Sequence, residues 1–151
     1  MGIGNEMRGD DIAGIVVIRN LIETFSTDLP LNLLLVEAAH APENHTSPIR
    51  KFSPDLTILI DMAQMDEAPG TIRWLTWQET TGISASTHTM PPYMLAQYLT
   101  AVTTTEVALI GIQPVHTNLG EPMSSEMETA VDQVTTFLTT ILQTCAFKHS
   151  L

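Results

Sequence analysis

Short apolar runs alternate with amphipathic stretches along the whole chain, and no repeat or linker interrupts them. Three runs of about six residues are apolar almost throughout and predict buried strands at 31–36, 56–61 and 107–112. Parallel strands that are covered on both faces have this composition. A fourth strand is predicted at 71–75, directly after a proline-glycine turn signal at 69–70. Strands alternating with helices in this way predict an α/β fold.

Apolar positions at three- and four-residue intervals predict the helices between these strands. The first helix covers 11–25, with Asp10 as its N-cap, and a short irregular helix covers 43–51. A proline pair fits the first turn of a helix at 90–102, where proline gives up no intrahelical hydrogen bond. The last helix follows Met123, and its predicted apolar stripe consists of Met127, Val131, Val134, Leu138, Ile141 and Leu142.

The front of the chain departs from the usual α/β order. An α/β chain normally opens with a strand that leads into its first glycine turn. Here Met1 directly precedes the motif GIGN at 2–5, so the sequence predicts that the usual first strand is missing. A length of 151 residues without a break in composition predicts one domain, covering residues 1–151.

The net charge limits the classes of partner that are expected, and the cysteine content indicates the cellular compartment. Six Lys and Arg against 17 Asp and Glu give a net charge of −11, the wrong sign for reading phosphates, so neither nucleic acid nor a membrane is an expected partner. The single cysteine, Cys145, cannot form an internal disulfide. The acidic N-terminal region does not resemble a signal peptide, and no long apolar segment is present. We therefore expect a cytoplasmic protein.

Three polar residues stand where α/β proteins place their ligands. Asp11 closes the turn-rich segment GIGNEMRGDD at 2–11, Asp61 ends a predicted strand, and His88 lies in a polar loop before a predicted helix. Open α/β sheets bind ligands at the carboxyl ends of their strands. Two carboxylates and one imidazole suit a divalent transition ion with open coordination positions. The alternative for each is structural, as a helix cap, a turn aspartate and a solvated loop histidine.

Other chemistries have weaker support. The glycine spacing departs from the nucleotide-binding fingerprint, and the acids Asp10 and Asp11 would repel a pyrophosphate at that helix N-terminus. No serine occupies a GxSxG elbow, and Cys145 lies within a predicted helix, so a nucleophilic triad is not supported.

Five segments in this order resemble the hydrogenase maturation endopeptidases, the proteases that trim the large subunit of nickel-iron hydrogenases. They are GIGNEMRGDD at 2–11, APEN at 41–44, ILID and the following turn at 58–70, STHTMP at 86–91, and IGIQP at 110–114. APEN and IGIQP are most similar to the branch that serves hydrogenase-3, the formate hydrogenlyase type. The resemblance covers nearly the whole chain. It implies a three-layer α/β/α sandwich around a twisted, mostly parallel sheet.

The resemblance also implies a function and a set of site residues. By motif position, Asp11, Asp61 and His88 are the catalytic and nickel-binding residues. The implied activity is an endopeptidase that removes the C-terminal extension of a nickel-loaded large-subunit precursor, with the nickel as its recognition element. Because the precursor presents the ion, a purified sample could carry a surrogate such as Cd²⁺, Zn²⁺ or Ca²⁺. We expect the protein to act as a monomer.

Two questions stay open at this stage. The bound metal could polarise the peptide carbonyl or activate a water, or a carboxylate could act as general base. The alternative to a protease is a non-proteolytic, metal-binding maturation chaperone. A small nucleotide-binding module is a third possibility, and it predicts thermal stabilisation by nucleotides but not by nickel.

Overall fold

A five-stranded sheet forms the middle of the molecule in a computed structural model that describes residues 1–81 and 90–147. In chain order the strands are β1 (Gly2–Ile3), β2 (Glu37–Ala39), β3 (Leu56–Met62), β4 (Ile72–Thr76) and β5 (Glu106–Ile112). Their spatial order is β2-β1-β3-β5-β4, and all neighbours are parallel except β4, which pairs antiparallel with β5 at one edge. The predicted mostly parallel sheet is confirmed.

Helices cover both faces of this sheet. They are α1 (Ala13–Thr24), α2 (Thr46–Phe52), α3 (Pro92–Val102) and α4 (Ser125–Phe147), with 3-10 turns at Gly9–Ile12, Pro42–His45 and Trp77–Thr80. One apolar core lies between the sheet and α1 with α4, and a second core lies between the opposite face and α2 with α3. The predicted three-layer α/β/α sandwich is therefore confirmed.

The central strands are apolar throughout because they supply both cores. Ile60 of β3 and Ile110 of β5 pack into the core beneath α1 and α4, whereas Leu59 and Leu109 pack into the opposite core. Successive side chains of a strand point to opposite faces, so a strand between two helical layers has no polar side. The stripe of α4 is buried as predicted from Met127 to Leu138, but Ile141 is 42% exposed.

The predicted elements and the structure disagree mainly near the start of the sheet. Strands β3, β4 and β5 begin and end within one residue of the predicted ranges. The strand predicted at 31–36 is wrong, since β2 begins only at Glu37. The reason is its neighbour: β1 is two residues long, and its pairing with β2 starts at Gly2 opposite Glu37. The Gly2 N–H also donates to the Val36 carbonyl at 2.9 Å, but the described residues show no ladder between β1 and residues 31–35.

The prediction that the first strand is missing is also wrong, because two residues form it. β1 lies between β2 and β3, and Gly2 pairs with Ile60. Met1 extends the ladder: its amino group donates to the Ile58 carbonyl at 2.7 Å, and its carbonyl accepts from the Ile60 N–H at 2.9 Å. Burial lowers the pKa of the Met1 amino group from 8.0 to about 5.

An apolar cavity of about 560 Å³ lies at the amino end of the sheet, next to Met1. We call it the amino-end cavity. Its walls are residues 31–36, the first half of β3, and side chains from both helical layers, including Ile18, Ile49 and Leu138. Hydrogen-bonded loops thus cover the end of the sheet where β1 leads into α1, whereas the opposite end contains this cavity. Among the described residues, no helix is long and apolar enough to cross a membrane.

Candidate active site

Asp11 lies in the 3-10 turn at Gly9–Ile12, just beyond the carboxyl end of β1. The side chain is buried, and the backbone is fixed on both sides: the carbonyl accepts from the Asn5 N–H, and the N–H donates to the Arg8 carbonyl, each at 3.0 Å. Gly4 adopts a φ of +150°, and a Cβ there would lie 1.9 Å from the Asp11 carbonyl oxygen. The glycine of the GIGN motif is therefore required so that the loop can close over Asp11.

Asp61 reaches the same edge of the sheet from β3. It is the penultimate residue of that strand, pairs with Gly111 of β5, and is 1% exposed. Neither of its carboxylate oxygens accepts a hydrogen bond of ordinary geometry from the described residues, although the Met62 N–H lies near enough to influence the group. A buried carboxylate without partners is costly, so a group in this state is a candidate functional residue.

The two acids influence each other electrostatically. Burial raises the pKa of Asp61 well above its usual value, and the negative charge of Asp11 raises it further, against a smaller opposing effect of the Met62 backbone N–H. Like charges that face each other in a desolvated site disfavour double ionisation. The structure therefore brings Asp11 and Asp61 together at the carboxyl edge of the sheet.

His88 is the third predicted site residue, and it lies in 82–89, outside the described residues. Within the described part of the chain, no three side chains of His, Cys, Asp or Glu converge on one point. The described site thus consists of a pair of carboxylates. Two oxygen donors can contribute to a divalent-metal site, and an imidazole would complete the set that the sequence predicts.

Close packing of α1 on the sheet sets the position of the turn that carries Asp11. Gly14 lies in the first turn of α1, and a Cβ at this position would lie 2.1 Å from the Ile60 carbonyl oxygen and 2.3 Å from the Ile3 carbonyl oxygen. Only a residue without a side chain allows the helix to approach β1 and β3 this closely. Because Asp61 directly follows Ile60, this contact also fixes the helix against the strand that carries the second acid.

Asp10 has a different role from the one predicted. The N-cap of α1 is Ile12, which makes no side-chain capping bond, so the predicted capping of this helix by Asp10 is wrong. The Asp10 carboxylate instead accepts hydrogen bonds from Val115, His116 and Ser124, on the loop 113–124 between β5 and α4. Partners more than 100 residues away leave no local signal in the sequence.

Gln113 is a functional-site neighbour that the sequence analysis missed. Its side-chain carbonyl accepts from the Met65 N–H at 2.7 Å and the Glu67 N–H at 3.3 Å, and its side-chain amide donates to the Pro114 carbonyl at 3.4 Å. These bonds hold the loop that follows Asp61. A glutamine directly after an apolar strand is the signal that was available, because a buried amide needs partners.

Comparisons with known proteins agree with this fold and identify its family. A family model described as hydrogenase maturation protease matches residues 15–142. A protein of Methanocaldococcus jannaschii named as a hydrogenase maturation protease is 32% identical over 147 residues, covering 95% of this chain and 86% of the relative. The hydrogenase 3 maturation protease of Escherichia coli K12 is 31% identical over 134 residues, covering 87% of this chain and 82% of the relative.

A solved structure supports the same family. The crystal structure of the NiFe hydrogenase maturation protease HycI from Thermococcus kodakarensis matches with a TM-score of 0.83 and 30% identity, covering 94% of this chain and 89% of that one. The resemblance seen in the sequence is confirmed. This chain therefore belongs to the hydrogenase maturation protease family and is a hydrolase of peptide bonds.

Proposed function

We propose that this protein removes the C-terminal extension from the precursor of a nickel-iron hydrogenase large subunit after nickel has been loaded, and that it does so as a cytoplasmic monomer. The observation that supports nickel recognition is the buried pair of Asp11 and Asp61, since both carboxylates lie at the edge of the sheet where α/β proteins bind ligands. Membership of the protease family supports the cleavage step.

The electrostatics of the pair support a cation at this position. The Asp61 oxygens are buried and have no hydrogen-bond partner among the described residues, and Asp11 adds a second acidic group nearby. A divalent ion held by these carboxylates would offset their repulsion and would supply a partner for Asp61. In our proposal His88 provides the third ligand, and the ion enters as part of the substrate.

This arrangement makes cleavage depend on the state of the precursor. A precursor that lacks nickel would bury Asp11 and Asp61 beneath a protein surface with no cation to offset their charges, which disfavours the closed complex. A loaded precursor brings the cation with it. The protein would then discriminate between loaded and unloaded precursor by a difference in affinity. The uncompensated charges of the two acids would disfavour binding of the unloaded form.

The catalytic step follows from the same placement. Asp11 and Asp61 would hold the metal, which would either polarise the scissile carbonyl or activate the attacking water. Alternatively, a carboxylate would act as general base, taking a proton from the attacking water that the leaving amine receives when the C–N bond breaks. Both routes require the pair, so loss of either acid is expected to stop turnover.

The test is the mass of the large subunit. The purified protein is incubated with precursor that has or has not been loaded with nickel, and the precursor is then weighed intact by mass spectrometry. We expect loss of the C-terminal extension in the nickel-loaded sample alone. Cleavage of both samples would contradict nickel recognition. An unchanged mass with tight nickel binding would favour a metal-binding maturation chaperone.

A further inference from the structure

The Asp10 carboxylate has an unusual set of partners for a residue beside a candidate catalytic acid. It is fully buried, and four donors surround it. One oxygen accepts from the Val115 N–H at 2.7 Å, the His116 N–H at 3.3 Å and the Ser124 hydroxyl at 2.9 Å, and the other accepts from the Ser124 N–H at 2.7 Å. Hydrogen bonds to a charged acceptor are stronger than neutral ones, so this carboxylate is firmly held.

All four donors belong to the loop 113–124, and further contacts join the same two segments. The Asp10 N–H donates to the His116 carbonyl at 3.1 Å, and the Gly120 N–H donates to the Met7 carbonyl at 2.7 Å. Gly9 has a φ of +52°, and a Cβ there would lie 2.7 Å from the His116 Nδ1. The loop therefore fits closely against the turn that carries both acids.

Ser124 connects this contact to α4. Its hydroxyl donates to Asp10 and accepts from the Met127 N–H at 3.3 Å, as an N-cap residue does. Since α4 packs against α1 through a shared core, the position of Asp10 is tied to the helical layer as a whole. We call the Asp10 carboxylate with its donors Val115, His116 and Ser124 the Asp10 clamp.

We propose that Asp10 is a positioning residue for the cleavage reaction, and that the Asp10 clamp fixes the orientation of Asp11 toward Asp61. Asp10 and Asp11 are consecutive in a tight 3-10 turn, so their side chains leave the turn in different directions. Anchoring Asp10 to the loop 113–124 thereby determines where Asp11 points. This inference rests on the proposed function, because it assigns Asp11 to the reaction.

The clamp also completes the restraints on the turn. The backbone bonds of Asp11 to Asn5 and Arg8 fix its main chain. The Asp10 clamp supplies the restraint on the side that faces the loop. Small displacements of a catalytic group cost large factors in rate.

The test compares three variants in cleavage of the nickel-loaded precursor. Ser124→Ala removes the hydroxyl of the clamp, whereas Ser124→Thr keeps a hydroxyl. Thr105→Val is the matched control: it removes a buried hydroxyl whose 2.9 Å bond to Thr57 lies at the opposite end of the sheet. We expect Ser124→Ala to lower kcat by about 10- to 100-fold with KM nearly unchanged. Ser124→Thr should restore most of kcat, and Thr105→Val should leave kcat unchanged.

Amide hydrogen exchange provides a second readout that needs no substrate. Ser124→Ala should speed exchange of the Asn5 and Asp11 amides, which bond within the turn, and leave the amides in the middle of α1 protected. Unchanged exchange at these two amides in Ser124→Ala, or a kcat equal to that of wild type, would overturn the proposal. Equal losses of kcat in Ser124→Ala and Thr105→Val would do the same, since they would show a general loss of stability.

The two readouts separate this proposal from the proposed function. A wild-type protein that does not cleave the loaded precursor contradicts the proposed function, whatever the exchange result. Faster exchange at Asn5 and Asp11 in Ser124→Ala would still show that the clamp restrains the turn. Asp10→Asn is a more severe variant, because its amide nitrogen would face a backbone donor, and it should give a larger loss of kcat than Ser124→Ala.

Discussion

The two ends of the central sheet are built in opposite ways. At the carboxyl end, loops fold over the strand ends and bury three acidic side chains, of which Asp10 is fully hydrogen-bonded and Asp61 has no partner among the described residues. At the amino end, apolar side chains surround the amino-end cavity and the buried amino group of Met1. One end concentrates buried charge where a ligand can offset it, and the other leaves apolar surface incompletely packed.

This difference teaches that both ends of the sheet limit stability, but only the carboxyl end carries the proposed chemistry. Desolvated carboxylates at the carboxyl end lower the stability of the free protein, as is common for functional sites. A cavity at the amino end lowers stability without any role in the site, because its walls lose packing contacts. Changes at the carboxyl end should therefore affect both activity and stability, whereas changes elsewhere should affect stability alone, and three predictions test this difference.

The largest effect is expected for Asp61→Asn. This change removes a proposed metal ligand, so cleavage of the loaded precursor should fall by roughly 10³-fold or more. The same change removes a buried group whose charged form is disfavoured, so the melting temperature at pH 8 should rise. Asp55→Asn, at an exposed position directly before the same strand, is the matched control and should change neither quantity.

The pH dependence of Asp61→Asn sharpens this prediction. A raised pKa in the folded protein means that the protonated carboxyl is favoured there, so its contribution to stability is present at low pH and is lost as the pH rises above the unfolded value. The advantage of Asp61→Asn over wild type should consequently be large at pH 8 and vanish near pH 4. An advantage that is independent of pH would contradict the assignment of a raised pKa.

The second effect concerns Met1 in a chain whose free amino group lies at that residue. The pKa of this group falls from 8.0 to about 5 on folding, so the unfolded state binds more protons between these values. Stability should thus decrease by roughly 3 kcal/mol as the pH falls from 8 to 5. Chemical denaturation of the free and the N-terminally acetylated protein at several pH values measures this change in stability. The acetylated form should lack the dependence of stability on pH that comes from the amino group.

Comparing the two forms at each pH cancels the contribution of Asp61, which has the opposite sign. Identical slopes for the free and acetylated proteins would show that the amino group is not buried in solution. Cleavage activity, measured at pH 8, should be the same for both, because Met1 lies at the end of the sheet away from the site.

The smallest effect is the difference in cost between two truncations, one in each core. Leu99→Ala truncates a fully buried side chain beneath α3 and should cost about 4 kcal/mol. Leu138→Ala truncates a side chain that already borders the amino-end cavity, so fewer contacts are lost and the cost should be about 2 kcal/mol. Urea unfolding of both variants checks the order. A larger cost for Leu138→Ala would mean that the cavity is closed in solution.

The parts of the fold that were predictable from the sequence are those with a local signal. β3 and β5 appear as continuous apolar runs because both faces of the sheet are covered, and α4 shows a stripe because one of its faces is buried. Asp61 was placed at the carboxyl edge for a similar reason, as the polar residue that ends an apolar run. Such positions follow from rules that involve only neighbouring residues.

The failures have a common physical cause, which is dependence on distant partners. The start of β2 at Glu37 is set by where β1 provides backbone groups, not by the apolar run before it. The role of Asp10 is set by donors at 115–124, and that of Gln113 by amides at 65–67. Hydrogen bonds across the fold leave no periodicity in the chain, so pattern analysis cannot detect them.

The contact of Gly14 with the carbonyl oxygens of Ile3 and Ile60 has a consequence for how the site evolves. Any larger residue at this position would push α1 outward and carry Asp11 away from Asp61. The close approach of α1 to the sheet at Gly14 thus keeps two acidic side chains near each other. If the proposed roles of the two acids hold, substitution of Gly14 is expected to reduce activity as much as loss of either acid does.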